Sequence, residues 1–364
     1  MPGEIKCVLK IIHISSFPDR VSDETRDLYL LGQCITEEKL AEIKKEFHSL
    51  SEQGVGRIQF DVSLVGYTSW KIGGCADVLI EPFGAEGLSR VLAYISQNKI
   101  PYIVIGDGSN ILFSDEGFRG VVIRIGRAMS NVTIEKDVIC AQAGVAMPRL
   151  ARLAGVAGLS GIEHTSGIPG TLGGLVAMNG GSLRQTIGEA IQTIRCLDPS
   201  GTTMELGQAD CEFSYRRSIF LTKPWIVTDV VLKLQQGERN TICGRILEVL
   251  RERRHKFPRR LPNCGSVFKS DTELHEKCGP PGWIIEQLGL KGLSVGGAQV
   301  STQHANFIIN TGRATAADVL ELIHIIRKKV HEKTNIWLEC EVRYIGPHGD
   351  IAPAHLHSEM TGIN

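Results

Sequence analysis

Ile100-Pro101-Tyr102-Ile103-Val104-Ile105-Gly106-Asp107-Gly108-Ser109-Asn110 is the stretch on which the reading of this chain turns. Its first half is apolar and β-branched, the pattern of a buried strand. Its second half opens directly onto glycines. Glycine permits positive φ, so successive backbone N–H groups can converge on an anion. Ser109 and Asn110 add side-chain donors.

A second loop of the same character follows downstream, Ser166-Gly167-Ile168-Pro169-Gly170-Thr171-Leu172-Gly173-Gly174, continued by Ala177-Met178-Asn179-Gly180-Gly181. Small residues let a chain lie against a pyrophosphate or a flat ring. The common nucleotide motifs are missing. No G-x-x-x-x-G-K followed by Ser or Thr occurs, and no G-x-G-x-x-G opens a helix after a strand. Walker-type and Rossmann-type sites are therefore disfavoured. Either loop alone is an ordinary turn. Two in one α/β region point to a different cofactor-binding fold.

Around these loops the elements alternate. Thr36–Leu50 is a helix with Thr36 as N-cap and Leu40, Ile43, Phe47 and Leu50 on one face. Asp77–Glu81 is a strand, and Leu88, Val91, Leu92 and Ile95 mark an amphipathic helix. Short strands follow at Val121–Ile125, Val132–Ile134 and Val138–Cys140, then a helix at Leu150–Gly155 and a glycine-rich loop region. Past residue 238 come a helix over Thr241–Arg254 and another near Trp283. A last long helix, Thr315–Lys333, has Thr315 and Asp318 at its start. The strand Ile336–Ile345 would put Trp337, Glu339, Glu341 and Arg343 on one face. Residues 1–35 form an extension without clean periodicity, and 347–364 a loose tail, with His355 and His357 solvated.

Composition bounds the function. The 364 residues carry 40 basic and 40 acidic side chains, so nothing favours a nucleic-acid partner. No apolar run approaches the roughly 20 residues of a membrane helix. The 10 cysteines contain no C-x-x-C, and the histidines no H-E-x-x-H, so no metal site is expected. Scattered free thiols fit a reducing, cytoplasmic setting. The basic cluster Arg251–Arg260 reads as a solvated helix end, with a role toward a diphosphate as the alternative.

Several separated motifs then resemble the UDP-N-acetylenolpyruvoylglucosamine reductase family, in order, over about residues 36–346. Thr68-Ser69-Trp70-Lys71-Ile72-Gly73-Gly74-Cys75-Ala76-Asp77 and the two glycine loops resemble its FAD-binding domain. Tyr215-Arg216-Arg217-Ser218, Cys264-Gly265-Ser266-Val267-Phe268-Lys269, Gly282–Glu286, Gly289–Gly292, His304-Ala305-Asn306-Phe307 and Leu338–Arg343 resemble its substrate domain. The resemblance implies an α+β protein. An FAD-binding, PCMH/VAO-type fold of two α/β subdomains spans 36–237, its PCMH part from about 68. An α+β substrate-binding domain follows over 238–346. The short spacing from Ser218 to Ser266 resembles the subtype without an inserted tyrosine loop.

The resemblance also implies the chemistry. NADPH reduces a non-covalent FAD, and a UDP-linked enolpyruvyl sugar is reduced to its lactyl ether in peptidoglycan precursor synthesis. Arg216 and Glu341 would hold an enolate, and Ser266 would protonate it. Gly106, Gly108, Ser109, Asn110, Ser166, Gly167, Pro169, Gly170, Gly173, Gly174 and Asn179 would line the cofactor. Tyr215, Lys269 and His304 would meet the substrate. Arg217 stands where an acid is common in the family, and Ser270 where Asn is common. A monomer or weak oligomer is expected. An FAD-dependent oxidase or dehydrogenase of another sugar or hydroxy acid stays open, as does a non-catalytic UDP-sugar-binding homologue.

Overall fold

The structure, a computed structural model, describes residues 36–270 and 272–358. The extension 1–35 lies outside the described residues. The first helix is Glu37–Glu52, and the Thr36 hydroxyl accepts the Lys39 N–H at 3.3 Å. Ile43, Phe47 and Leu50 are buried along its inner face, as the spacing requires.

Two sheets carry the N-terminal region. The first has the strand order Gly56–Ser63, Cys75–Pro82, Phe118–Arg124, Tyr102–Ile105. Its first pair is antiparallel and the other two are parallel. The second is antiparallel throughout, in the order Thr203–Gly207, Ile191–Leu197, Ile226–Lys233, Val138–Gln142, Val132–Glu135. Three of these strands fall in or after the stretch read from sequence as a glycine-rich loop region. The run Ile226-Val227-Thr228-Asp229-Val230-Val231-Leu232 is mostly buried because neighbours flank it on both sides. A continuous rather than alternating apolar pattern is what such a central strand shows.

Packing assigns two elements differently from chain order. The helix Arg239–Lys256 lies against the helix Met147–Val156 and the turn Glu163–Thr165, elements of the FAD-binding region. Trp70, from the N-terminal half, is fully buried in the C-terminal core with Phe268, Ile284 and Ile323. Its indole N–H donates to the Ile308 carbonyl at 2.7 Å, and Asn310 Nδ2 donates back to the Trp70 carbonyl at 3.0 Å.

The C-terminal core is a three-stranded antiparallel sheet, Ser294–Val295, Ala298–Val300 and Ile308–Asn310, against the helix Ala316–Thr334. Thr315 and Asp318 cap that helix reciprocally, as expected. Asp115 adds both carboxylate oxygens to the N–H groups of Ala316 and Ala317.

Two expectations about the C-terminus need correction. The strand expected over Ile336–Ile345 is confined to Arg343–Ile345. The residues expected to form a loose tail are ordered by pairing as far as Ser358. Ile351–Pro353 pairs with Arg343–Ile345, and the short helix Ala354–Ser358 packs behind it. His355 is buried, not solvated, and its Nδ1 accepts the Cys340 N–H at 3.0 Å. Pro347 to Gly349 form the turn that lets the chain return. Among the described residues no helix is long and apolar enough to cross a membrane.

Candidate active site

The strand Tyr102–Ile105 delivers the first glycine loop, and the short helix Leu172–Ala177 begins at the end of the second. The loops touch. Ser109 Oγ donates to the Pro169 carbonyl at 3.2 Å. A Cβ on Gly106 would strike the Thr171 side chain, and one on Gly170 would come within 2.8 Å of Ser109 Oγ. Gly108, at φ +62°, packs against the Tyr67 carbonyl and gives its own carbonyl to the Ser69 N–H. These glycines are required by close approach as much as by turn geometry.

No acceptor among the described residues takes the N–H groups of Asp107, Gly108, Ser109, Asn110, Gly167 or Gly170. The Ser166 hydroxyl, buried, also has no partner. Backbone donors turned out of abutting glycine loops fit a diphosphate-bearing cofactor, since successive N–H groups converge on an anion. Gly173 and Gly174 serve differently. Their N–H groups go to the Ala143 carbonyl and the Thr171 hydroxyl, and Gly173 packs closely on the Ala143 side chain.

Arg216 sits on a tight turn. Ser214 and Arg217 exchange both backbone hydrogen bonds at 3.1 Å, leaving Tyr215 and Arg216 at the corners. Arg216 takes φ +54°, a left-handed conformation that costs a non-glycine residue energy. Its Nε lies 3.0 Å from Glu341 Oε1, an ion pair whose N–H is not aligned on the oxygen. Its Nη2 approaches the Gly181 carbonyl at 3.5 Å. Burial pushes the Glu341 carboxyl above the usual range, and the Arg216 charge pulls it partly back.

Glu341 is bound to both other parts of the site through backbone. Its N–H donates to the Val267 carbonyl at 2.8 Å, next in sequence to Ser266. Its carbonyl accepts Asn110 Nδ2 at 3.3 Å, and the Arg343 N–H donates to the Asn110 carbonyl at 3.2 Å. The parallel pairing of Arg343–Ile345 with Ile111–Phe113 carries this link from the first glycine loop. The structure therefore brings Arg216, Glu341, the Ser266 segment and the first glycine loop together. Ser266 is half-buried between Gly265, at φ +86°, and Val267. Asn306 clamps the segment, exchanging side-chain hydrogen bonds of 2.9 Å with the backbone of Phe268.

The remaining expected residues have defined partners. The Tyr215 hydroxyl donates to the Ser270 carbonyl at 2.8 Å, and its ring lies 5.6 Å from the Arg216 guanidinium carbon. Lys269 Nζ pairs with Glu339 at 3.0 Å. The His304 ring lies tilted against Phe257 and edge-on to Phe307, and its Nδ1 accepts the Asn306 N–H. Burial, with Lys256 and Lys291 nearby, lowers its pKa to about 4, so it is neutral at physiological pH. Asn179 spends its amide on the protein, donating to the Ser214 carbonyl and accepting the Gly188 N–H.

The basic cluster is a solvated helix end as expected, with Arg253 the exception. Its Nε donates to the Gly167 carbonyl at 2.8 Å, and its guanidinium lies over the Phe257 ring. Burial, then repulsion from Arg259, lowers its pKa to about 10. Its place on a helix packed against the FAD-binding region was the missing signal. Asn306 was also missed as the clamp of the Ser266 segment, although it lay within a quoted motif. A cavity of about 520 Å³ beside His164 and Arg245 is lined by none of the expected site residues.

Known proteins match both halves. The FAD binding domain model matches residues 76–207, and the C-terminal domain model of UDP-N-acetylenolpyruvoylglucosamine reductase matches 257–345. UDP-N-acetylenolpyruvoylglucosamine reductase 1 of Corynebacterium glutamicum is 43% identical over 82% of this chain and 89% of its own. The reductase of Caldanaerobacter subterraneus subsp. tengcongensis is 39% identical over 85% of this chain and 97% of its own. The crystal structure of the Thermus caldophilus reductase superposes with a TM-score of 0.68 at 35% identity, covering 79% of this chain and 99% of that one. With both domains matched in order, the chain belongs to the UDP-N-acetylenolpyruvoylglucosamine reductase family.

Proposed function

We propose that this protein is a UDP-N-acetylmuramate dehydrogenase: it reduces UDP-N-acetylglucosamine enolpyruvate to UDP-N-acetylmuramate with bound FAD and with NADPH as reductant. The observation that carries this reading is the half-buried Arg216–Glu341 pair, tied by backbone to both the Ser266 segment and the first glycine loop. An FAD-dependent oxidase of another sugar would need the glycine loops but not that cluster.

The free N–H groups of Asp107 to Asn110, Gly167 and Gly170, with Ser166, suit a diphosphate-bearing cofactor and would hold FAD. When bound and reduced by NADPH, FAD supplies the hydride. The chain's own residues manage the charge and the proton. Hydride addition at the vinyl terminus of the substrate leaves negative charge conjugated with its carboxylate. The Arg216 guanidinium, held partly buried, stabilises that charge more than it stabilises the neutral double bond. Ser266 gives the α-carbon its proton, completing the addition of two hydrogens across the double bond. A serine hydroxyl is a weak acid, so the basicity of the enolate and the neighbouring groups must drive the transfer. Glu341, with its raised proton affinity, shares the hydrogen-bonding to the enolic oxygen and keeps Arg216 aimed.

Tyr215 and Lys269 flank this cluster and would meet the UDP-sugar, whereas His304, neutral and packed against two rings, offers shape rather than charge. A monomer or weak oligomer is taken as the working unit. A cytoplasmic location goes with the reading, since NADPH and nucleotide sugars are consumed there. The test is product mass. Beyond the one equivalent that reduces its flavin, the FAD-loaded protein should oxidise NADPH only with the enolpyruvyl sugar, and the sugar should gain the mass of two hydrogens. NADPH oxidation with the sugar unchanged would contradict the assignment.

A further inference from the structure

We propose that Asn179 is a positioning residue for Arg216: it holds the turn on which the guanidinium is carried, through the Ser214 carbonyl, rather than contacting the cofactor. This rests on the role given to Arg216 in the proposed function.

Asn179 is 3% exposed and adopts φ +40°. Asn is among the few residues that take this left-handed conformation at small cost. Its side chain is committed on both ends. Nδ2 donates to the Ser214 carbonyl at 2.9 Å, and Oδ1 accepts the Gly188 N–H at 3.1 Å. What remains is one Nδ2 proton and one Oδ1 lone pair. Two residues before it, the Ala177 carbonyl accepts the Ser218 hydroxyl at 2.6 Å. The chain at 177–179 therefore grips the turn on both flanks, at Ser214 and at Ser218.

That turn needs holding. Arg216 is not glycine, yet it sits at φ +54°, and an isolated two-residue turn with one such corner relaxes readily. Relaxation would swing the guanidinium off Glu341, and misplacement by about 1 Å can cost roughly 100-fold in rate. The grip also runs back to the cofactor loops. Asn179 follows the helix Leu172–Ala177, whose capping Thr171 packs against Gly106. One short, rigid element thus fixes the Arg216 turn relative to the first glycine loop.

The test uses the full-length, FAD-loaded protein with Asn179→Asp and Asn179→Ala. The aspartate keeps an acceptor for Gly188 but loses the donor to Ser214. Both variants should keep FAD affinity within about two-fold and lose about 10- to 100-fold in kcat with the enolpyruvyl sugar. In an Arg216→Ala background the same changes should cost nothing further, because the effect acts through Arg216. Hydrogen exchange at the Arg217 amide, which donates to Ser214, should also quicken in Asn179→Asp. Loss of FAD affinity would overturn the proposal in favour of a cofactor contact. Losses that multiply with Arg216→Ala, or failure of both variants to fold, would overturn it in favour of a general folding role. An active wild type with both variants near wild-type turnover would overturn it outright. If the wild type itself does not reduce the sugar, the functional reading fails, and exchange at Arg217 alone decides whether Asn179 holds the turn.

Discussion

Arg216 Nε stands 3.0 Å from Glu341 Oε1, although the two residues are 125 positions apart and are carried by different parts of the fold. The arginine hangs on a strained turn beside the second sheet of the FAD-binding region. The glutamate lies just before a strand that pairs with the segment leaving the first glycine loop. The pair is therefore a joint between the turn that follows the matched FAD binding domain and the C-terminal domain.

Arg216→Ala should lower turnover by about 100- to 1,000-fold, the usual loss when a donor to developing charge is removed. Glu341→Gln should lose less, since an amide still hydrogen-bonds but does not pair with the guanidinium. Flavin absorbance should be retained in both. Steady-state kinetics beside a flavin spectrum checks this, and loss of flavin in either variant would reassign the residue.

Trp70 should prove as important to stability as any residue of the C-terminal core, although it lies outside that domain in sequence. Trp70→Ala removes a fully buried ring and should cost about 3–5 kcal/mol. Trp70→Phe mainly strips the Ile308 carbonyl of its donor and should cost about 1–3 kcal/mol. Urea unfolding read at the C-terminal core separates the two.

Gly108→Ala should weaken both FAD binding and the fold. The added Cβ meets the Tyr67 carbonyl at a positive φ, with a strain cost of about 1–3 kcal/mol in the loop that carries the free N–H groups. Flavin titration should show the loss, and the melting temperature of the flavin-free protein should fall as well.

His304 should make stability fall on acidification. Its folded pKa of about 4 is below the ordinary 6.5, so the unfolded chain binds the proton first. The contribution is constant above about pH 6.5 and declines from there toward pH 4. His304→Phe should flatten that part of the melting curve against pH. An unchanged slope would mean that His304 titrates normally.

Much of this was legible beforehand for physical reasons. The strand–glycine junction at Ile105–Gly106 and the Thr315 cap are local signals, and local signals survive folding. Arg216, Ser266 and Glu341 were visible only through motif order, because spacing along the chain says nothing of a contact across the fold. What stayed hidden was non-local. Trp70 crosses into another core, Arg253 turns inward under its own helix, and His355 is buried by a returning strand. Asn179 was placed near the cofactor because it follows a glycine loop, but its amide faces the turn of Arg216.

The central claim is that one site passes reducing equivalents from NADPH to an enolpyruvyl sugar. The most direct measurement is the visible spectrum of the FAD-loaded protein under anaerobic conditions, first with NADPH and then with UDP-N-acetylglucosamine enolpyruvate. The account predicts that NADPH bleaches the flavin band and that the sugar restores it, with Arg216→Ala bleaching but recovering far more slowly. A band that bleaches and stays bleached when the sugar is added to the wild type would contradict it.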